Sequence, residues 1–170
     1  MASKNKLSLT VQYADASLAA VVTRPLLRRW VQAALLAPAE LTLRFVAVEE
    51  ARQLNADYRK KDYATNVLTF AYADDAEDTE DTNNASNEEA PTRADIVFCS
   101  QVMVQEAAEQ GKALLAHAAH LVVHGVLHAQ GYDHEDDAEA GEMEALEIEI
   151  LAGLGLPNPY LDTAAVPGSV

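Results

Sequence analysis

The five histidines of the chain all fall within Ala116–Glu135, and their spacing is the strongest chemical signal in the sequence. His124 and His128 stand four residues apart in a segment with helical patterning, so both imidazoles would project from one face of a helix. At Gly131 the chain can leave a helix through a left-handed turn, and His134 follows three residues later. The pattern H-x3-H-x2-G-x2-H is typical of the metal ligands of one class of zinc hydrolases. The sequence therefore predicts a zincin-like helix whose metal ligands are His124, His128 and His134.

Three neutral imidazole ligands leave one coordination position of a metal ion open, which is typical of catalytic zinc sites and not of structural ones. Such an ion provides a nucleophile at neutral pH because it lowers the pKa of the water that it binds. We expect Zn²⁺, one ion per chain. The same three ligands would also accept nickel, copper or cobalt.

The remaining histidines are not expected to bind the same ion. His120 lies eight residues before His128, which is about 12 Å of helix rise, so one ion cannot bind His120, His124 and His128 together. We expect His120 to line the pocket or to support a ligand, with core packing as the alternative, and His117 to lie on the helix surface. Gly125 stands where H-E-x-x-H proteases carry their general base, so peptide hydrolysis is disfavoured.

The segment from His124 to His134, H-G-V-L-H-A-Q-G-Y-D-H, resembles the YbeY family of bacterial endoribonucleases. Three further segments extend the resemblance over most of residues 41–160. They are L-N-A-D-Y-R-K-K-D-Y-A-T-N-V-L-T-F, A-D-I-V-F-C-S, and E-M-E-A-L-E-I-E-I-L with the later N-P-Y. The chain departs from the family in having Ala64, Thr65 and Asn66 in place of Pro-Thr-Asp, and Ala94 in place of a usual glycine.

The resemblance implies a metal-dependent endoribonuclease of the single-strand type that acts in ribosomal RNA maturation and in quality control of the small ribosomal subunit. It implies that His124, His128 and His134 bind zinc and that Arg59 acts close to the metal. The planar guanidinium of an arginine can hold a phosphate by two hydrogen bonds. Ribosomal RNA and components of the small subunit are the implied partners, and we expect neither DNA nor a membrane as a partner.

Two other functions stay open at this point. One is an RNA- or ribosome-binding assembly factor whose metal is mainly structural, and the other is a zinc protease, which Gly125 disfavours. The role of Arg59 also has an alternative, since Arg59, Lys60 and Lys61 form a basic run at the end of a predicted helix. Cations there can simply complement the helix C-terminus.

Charge is distributed unevenly along the chain, whose formal net charge is −15. Eight of the 27 acidic residues lie between Asp74 and Glu89 and nine between Asp133 and Glu149, so the rest of the chain is slightly basic. A polyanionic partner is therefore compatible with the sequence, whereas non-specific binding to many phosphates is disfavoured. One cysteine, Cys99, and the lack of a long apolar run lead us to expect a cytoplasmic protein.

Helices and strands must position these residues, and a chain of 170 residues has about the length of one domain. We predict an α+β fold in which a small mixed sheet packs against helices, with residues 1–170 in a single domain. The acidic segment 73–93 is expected to be a disordered loop and residues 161–170 a flexible tail. The predicted strands are Leu7–Val11, Leu41–Val48, Val67–Tyr72 and Asp95–Ser100. The predicted helices are 16–36 with Pro25 near the start of its main part, Glu49–Lys60, Gln101–Gln130 with a break near Gly111, and Asp136–Ala152.

Overall fold

The structure, a computed structural model, describes residues 6–59, 65–71, 92–131 and 137–159. Its strands are β1 Leu7–Tyr13, β2 Ala39–Val46, β3 Val67–Ala71 and β4 Thr92–Cys99. Its helices are α1 Arg24–Ala34, α2 Val48–Arg59, α3 Ser100–Glu109, α4 Leu114–Ala129 and α5 Asp137–Gly153, with a short 3-10 turn at Ala16–Leu18. Each predicted strand and helix is present with small differences at the ends, except that the predicted helix 16–36 is shorter: its α-helical part begins at Arg24, and residues 16–18 form a separate 3-10 turn.

The four strands form one sheet in the order β1-β2-β4-β3. β1, β2 and β4 run parallel, with Leu7 opposite Ala39 and Ala39 opposite Thr92. β3 is the edge strand and runs antiparallel to β4, with Ala71 opposite Ala94. This mixed sheet confirms the predicted α+β class.

The two faces of the sheet are covered by different helices because side chains alternate along each strand. Leu43 of β2 and Ile96 of β4 point into the main core, where α1, α4 and α5 pack. Val97, one residue after Ile96, points to the other face and packs with Ala51 of α2. The helix that ends at Arg59 and the helix that carries the histidines therefore lie on opposite faces of the sheet.

The helix boundaries follow local sequence signals. Pro25 lies in the first turn of α1, where its missing N–H is tolerated. The break between α3 and α4 falls at Gly111, whose φ is 67°, as predicted. Ser100 begins α3 and does not end the preceding strand.

The acidic loop is shorter at its C-terminal end than predicted. Thr92 and Arg93 belong to β4, where they pair with Ala39 and Glu40 of β2, so the predicted end of the loop at residue 93 is wrong by two residues. The neighbouring charges of Arg93 and Glu40, 3.4 Å apart, suit this pairing. Residues 72–91 of the acidic loop and the tail 161–170 lie outside the described residues. Within the described ranges, no helix has both the length and the apolar composition to cross a bilayer.

Candidate metal centre

Three histidines form a stripe along α4, which is otherwise buried around most of its circumference. His120, His124 and His128 follow one another at intervals of four residues, so they lie on one face of the helix. The ring centroids of His120 and His124 are 6.3 Å apart, and those of His124 and His128 are also 6.3 Å apart. All three side chains are partly accessible.

His124 and His128 have the relationship that the spacing predicts for two ligands of one ion. Their rings are separated by one helical turn and inclined at 78°. Gly131 follows α4 with a φ of 107°, a backbone conformation that favours glycine and turns the chain out of the helix. His134 lies outside the described residues. The set of three histidine ligands therefore stays a prediction, of which the first two members are placed.

A buried carboxylate that the sequence analysis missed contacts this stripe. Glu147 of α5 is fully buried. Its Oε2 lies 2.6 Å from Nδ1 of His124, and its Oε1 lies 3.2 Å from Nε2 of His120. A signal was present in the sequence, since Glu147 lies four residues from both Met143 and Leu151, on one helix face with them. The structure buries all three residues. Glu147 thus occupies a core position at which an amphipathic helix normally carries an apolar side chain.

His120, His124 and Glu147 together could hold a metal ion, because one donor atom from each lies within 4.8 Å of the others. The 2.6 Å between His124 and Glu147 is, however, a hydrogen-bond distance. Two ligands of a tetrahedral zinc with bonds of about 2.0 Å are about 3.3 Å apart. The carboxylate of Glu147 therefore fits a hydrogen-bonding partner of His124 better than a ligand beside it.

His117 does not lie on the helix surface, so that prediction is wrong. It is 4% exposed, because α3 covers this turn of α4. Its Nε2 lies 3.0 Å from Oε1 of Glu106, a residue of α3 that also accepts a hydrogen bond from the side-chain amide of Asn66. Burial lowers the pKa of His117, and the contact with Glu106 opposes that shift without overcoming it.

Gly125 faces the sheet at a point where no side chain fits. A Cβ at this position would lie 2.9 Å from Cγ2 of Ile96 in β4 and 3.6 Å from Cγ2 of Val67 in β3. The residue after His124 therefore packs against the core and has no space for a general base. This contact weighs against the protease alternative and brings α4 close to the edge strand β3.

Arg59 is the last residue of α2, as the helix prediction requires. Its side chain, like the whole of Lys60 and Lys61, lies outside the described part of the chain. After α2 the chain enters β3, the edge strand against which α4 packs at Gly125. The topology thus leads the chain from the end of α2 toward the strand that borders the histidine helix.

Comparisons with known proteins agree with the resemblance. A family model described as "Endoribonuclease YbeY" matches residues 5–155. A protein of that name from Herminiimonas arsenicoxydans is 64% identical over 159 residues, which cover 94% of this chain and 98% of that protein. Another of the same name, from Janthinobacterium sp. (strain Marseille), is 63% identical over 162 residues, which cover 95% and 99% of the two chains.

Proposed function

The chain belongs to the endoribonuclease YbeY family, and from this membership we propose that it is a metal-dependent endoribonuclease acting on single-stranded RNA. Its substrates are ribosomal RNA precursors or defective ribosomal RNA, and its partners are components of the small ribosomal subunit. The proposed location is the cytoplasm, where such substrates occur and where a lone cysteine such as Cys99 stays reduced.

The observation that carries this proposal is the pair of His124 and His128 on the accessible stripe of α4, followed by the turn at Gly131. We propose that these two histidines and His134 bind one Zn²⁺ per chain. A metal ion at such a site supplies a water-derived nucleophile at neutral pH and polarises a phosphoryl oxygen. The imidazole donor set suits Zn²⁺, and nickel, copper and cobalt are the competing ions.

The remaining chemistry belongs to the residues of the chain. Arg59 is proposed to bind the phosphate at the scissile bond and to offset the negative charge that develops on it in the transition state. A guanidinium suits this role because its two parallel N–H donors match two phosphate oxygens. Gly125 and its contact with Ile96 leave no space for a carboxylate at position 125, so the proposed reaction does not use the general base of H-E-x-x-H enzymes.

The test is cleavage of a ribosomal RNA precursor by the purified protein, together with its metal content by elemental analysis. Cleavage should require the metal, stop on chelation and return when zinc is restored, while circular dichroism shows that the fold persists. The variant His128→Ala should lose both the metal and cleavage. The control substitution His117→Ala, on the same helix, should keep the metal.

Two results would contradict the proposal. Full metal occupancy in His128→Ala would remove the ligand assignment. A protein that binds ribosomal RNA but never cleaves it, and that unfolds when the metal is chelated, would favour the assembly factor with a structural metal.

A further inference from the structure

We propose that Glu147 is a positioning residue for the metal centre: its carboxylate holds His124 in the ring orientation and tautomer that metal binding requires. This inference rests on the metal site proposed above. It assigns a role to a residue that α5 contributes from outside the segment H-G-V-L-H-A-Q-G-Y-D-H. It also gives His120 a role that its spacing left open.

The burial of Glu147 is the first argument. A carboxylate without access to water is destabilising unless it is paired and hydrogen-bonded, so a fully buried glutamate in an apolar stripe needs a specific partner. Glu147 has two, since its oxygens face Nδ1 of His124 and Nε2 of His120. Its neighbours on the same buried stripe, Met143 and Leu151, are apolar. Packing alone therefore does not account for a glutamate there.

The geometry at His124 is the second argument. The 2.6 Å contact places a carboxylate oxygen at Nδ1 of His124, and a carboxylate in its ionised form accepts a hydrogen bond from the ring N–H at that position. A neutral imidazole that carries its proton on Nδ1 presents Nε2 as its electron-pair donor. Carboxylate partners of this kind fix the tautomer and orientation of metal-binding histidines and increase their basicity.

His120 completes this arrangement without being a ligand. Its Nε2 lies 3.2 Å from the second oxygen of Glu147, so one carboxylate joins two rings that are one helical turn apart. A hydrogen bond at each oxygen restricts rotation of the Glu147 carboxylate. Of the expectations for His120, this geometry favours support of a ligand over simple core packing.

The experiment compares Glu147→Gln with Glu106→Gln, because Glu106 also pairs a carboxylate with a histidine of α4, but through Nε2 of His117 and away from the proposed ligands. Zinc affinity is measured by competition with a chromogenic chelator, and the visible spectrum of the Co²⁺ form reports on ligand geometry. Glu147→Gln should bind zinc about 10- to 100-fold more weakly and change the Co²⁺ spectrum. Glu106→Gln should match the wild-type protein in both. Wild-type affinity in a folded Glu147→Gln protein would overturn the proposal.

A measurement on the wild-type protein keeps the proposal testable if Glu147→Gln does not fold. The ¹⁵N chemical shifts of the His124 ring should show a proton on Nδ1, and a proton on Nε2 would overturn the proposal. His120→Ala should keep one zinc per chain. If His120→Ala loses zinc while His128→Ala keeps it, Glu147 is itself a ligand and the proposal fails.

The failure of this inference differs from the failure of the metal site on which it rests. If His128→Ala keeps its zinc, the site made by His124, His128 and His134 is wrong, whatever Glu147→Gln does. If His128→Ala loses zinc and Glu147→Gln binds it as tightly as the wild-type protein, the site stands and only the role of Glu147 is removed.

Discussion

Gly125 of α4 and Ile96 of β4 approach each other so closely that a Cβ on the glycine would lie 2.9 Å from the isoleucine Cγ2. Gly125 directly follows His124 in the sequence, and it is the residue at which the histidine helix packs against the sheet. Any side chain at position 125 would have to push α4 away from β4 or displace Ile96. The distance between the sheet and the proposed metal ligands is therefore set by the absence of a side chain.

The first prediction concerns this contact. Gly125→Ala should lower the free energy of unfolding by up to about 2 kcal/mol, because overpacking a core costs about 1–3 kcal/mol and the gain of about 1 kcal/mol in helix propensity offsets only part of that cost. Thermal or urea unfolding of the metal-free protein measures the change. The matched control is Gly141→Ala in α5, where a Cβ meets nothing within 4 Å. It should be stabilising, and equal effects of the two substitutions would show that Ile96 gives way without strain.

The second prediction is that His117→Ala keeps its metal but loses stability. His117 is buried and hydrogen-bonded to Glu106, and its removal leaves a cavity and takes away one hydrogen bond of Glu106, which keeps its contact with Asn66. A loss of about 1–3 kcal/mol in the free energy of unfolding is expected. Urea unfolding and elemental analysis on the same preparation check both parts. A variant as stable as the wild-type protein would mean that neither the packing of His117 nor its hydrogen bond with Glu106 contributes to stability.

The same residue predicts a pH dependence. Burial lowers the pKa of His117 in the folded protein, so between its ordinary value of about 6.5 and the lowered value the unfolded chain binds more protons. Stability from the neutral ring is thus complete above about pH 6.5 and decreases as the pH falls through the lowered pKa. The difference in stability between wild type and His117→Ala should shrink over this range. A constant difference from pH 7.5 to pH 5 would contradict the direction of the shift.

The third prediction separates catalysis from metal binding. Arg59→Ala should keep its fold and its zinc but lose about a hundredfold in RNA cleavage, since removing one transition-state contact costs about 3 kcal/mol. Arg59→Lys should be intermediate, because it keeps the charge and loses the two-pronged geometry. Cleavage rate, zinc content and melting temperature are measured on all three proteins. Wild-type cleavage with a small loss of stability would assign Arg59 to the helix C-terminus alone.

The fourth prediction concerns the acidic segment between β3 and β4. Ala71 and Ala94 are paired in the sheet, so the two ends of the connection are adjacent and a short linker can join them. Replacing residues 74–89 with a few glycines and serines should leave the melting temperature unchanged or raise it by a few degrees, because a shorter loop loses less entropy on closure. A large fall in melting temperature would show that the segment packs against the domain.

The sequence predicted the elements well because their signals are local. The alternation of β1, the proline in the first turn of α1 and the glycine between α3 and α4 each act within a few residues. The pairing of His124 and His128 was predictable for the same reason, since helix geometry alone places them on one face. The order of the strands was not, because nothing near β4 in the sequence indicates that it pairs with β2 on one side and β3 on the other.

The errors at the site have one physical cause, which is packing between helices distant in sequence. His117 has no neighbour in its own helix that would bury it, and α3 does so by packing across it. Glu147 belongs to a helix rich in acidic residues, which in the sequence suggests an exposed helix. Its contact with His124 exists only because α5 packs on α4. Its place between Met143 and Leu151 shows an acid where the helix should be apolar. That pattern was present in the sequence, but the histidine partners of Glu147 were not evident from it.

The parallel arrangement of β1, β2 and β4 has a consequence for how quickly the molecule forms. Each of these strands pairs with a partner from a distant part of the chain, as the register of Leu7 with Ala39 and of Ala39 with Thr92 shows. The chain loses conformational entropy when it closes these long loops, before the strand contacts form, and this slows folding. The histidine helix completes its packing only when the sheet exists, because it rests on β4 and β3 at Gly125. Assembly of the sheet should therefore be the rate-limiting step of folding. Zinc added to the unfolded chain should do little to accelerate folding.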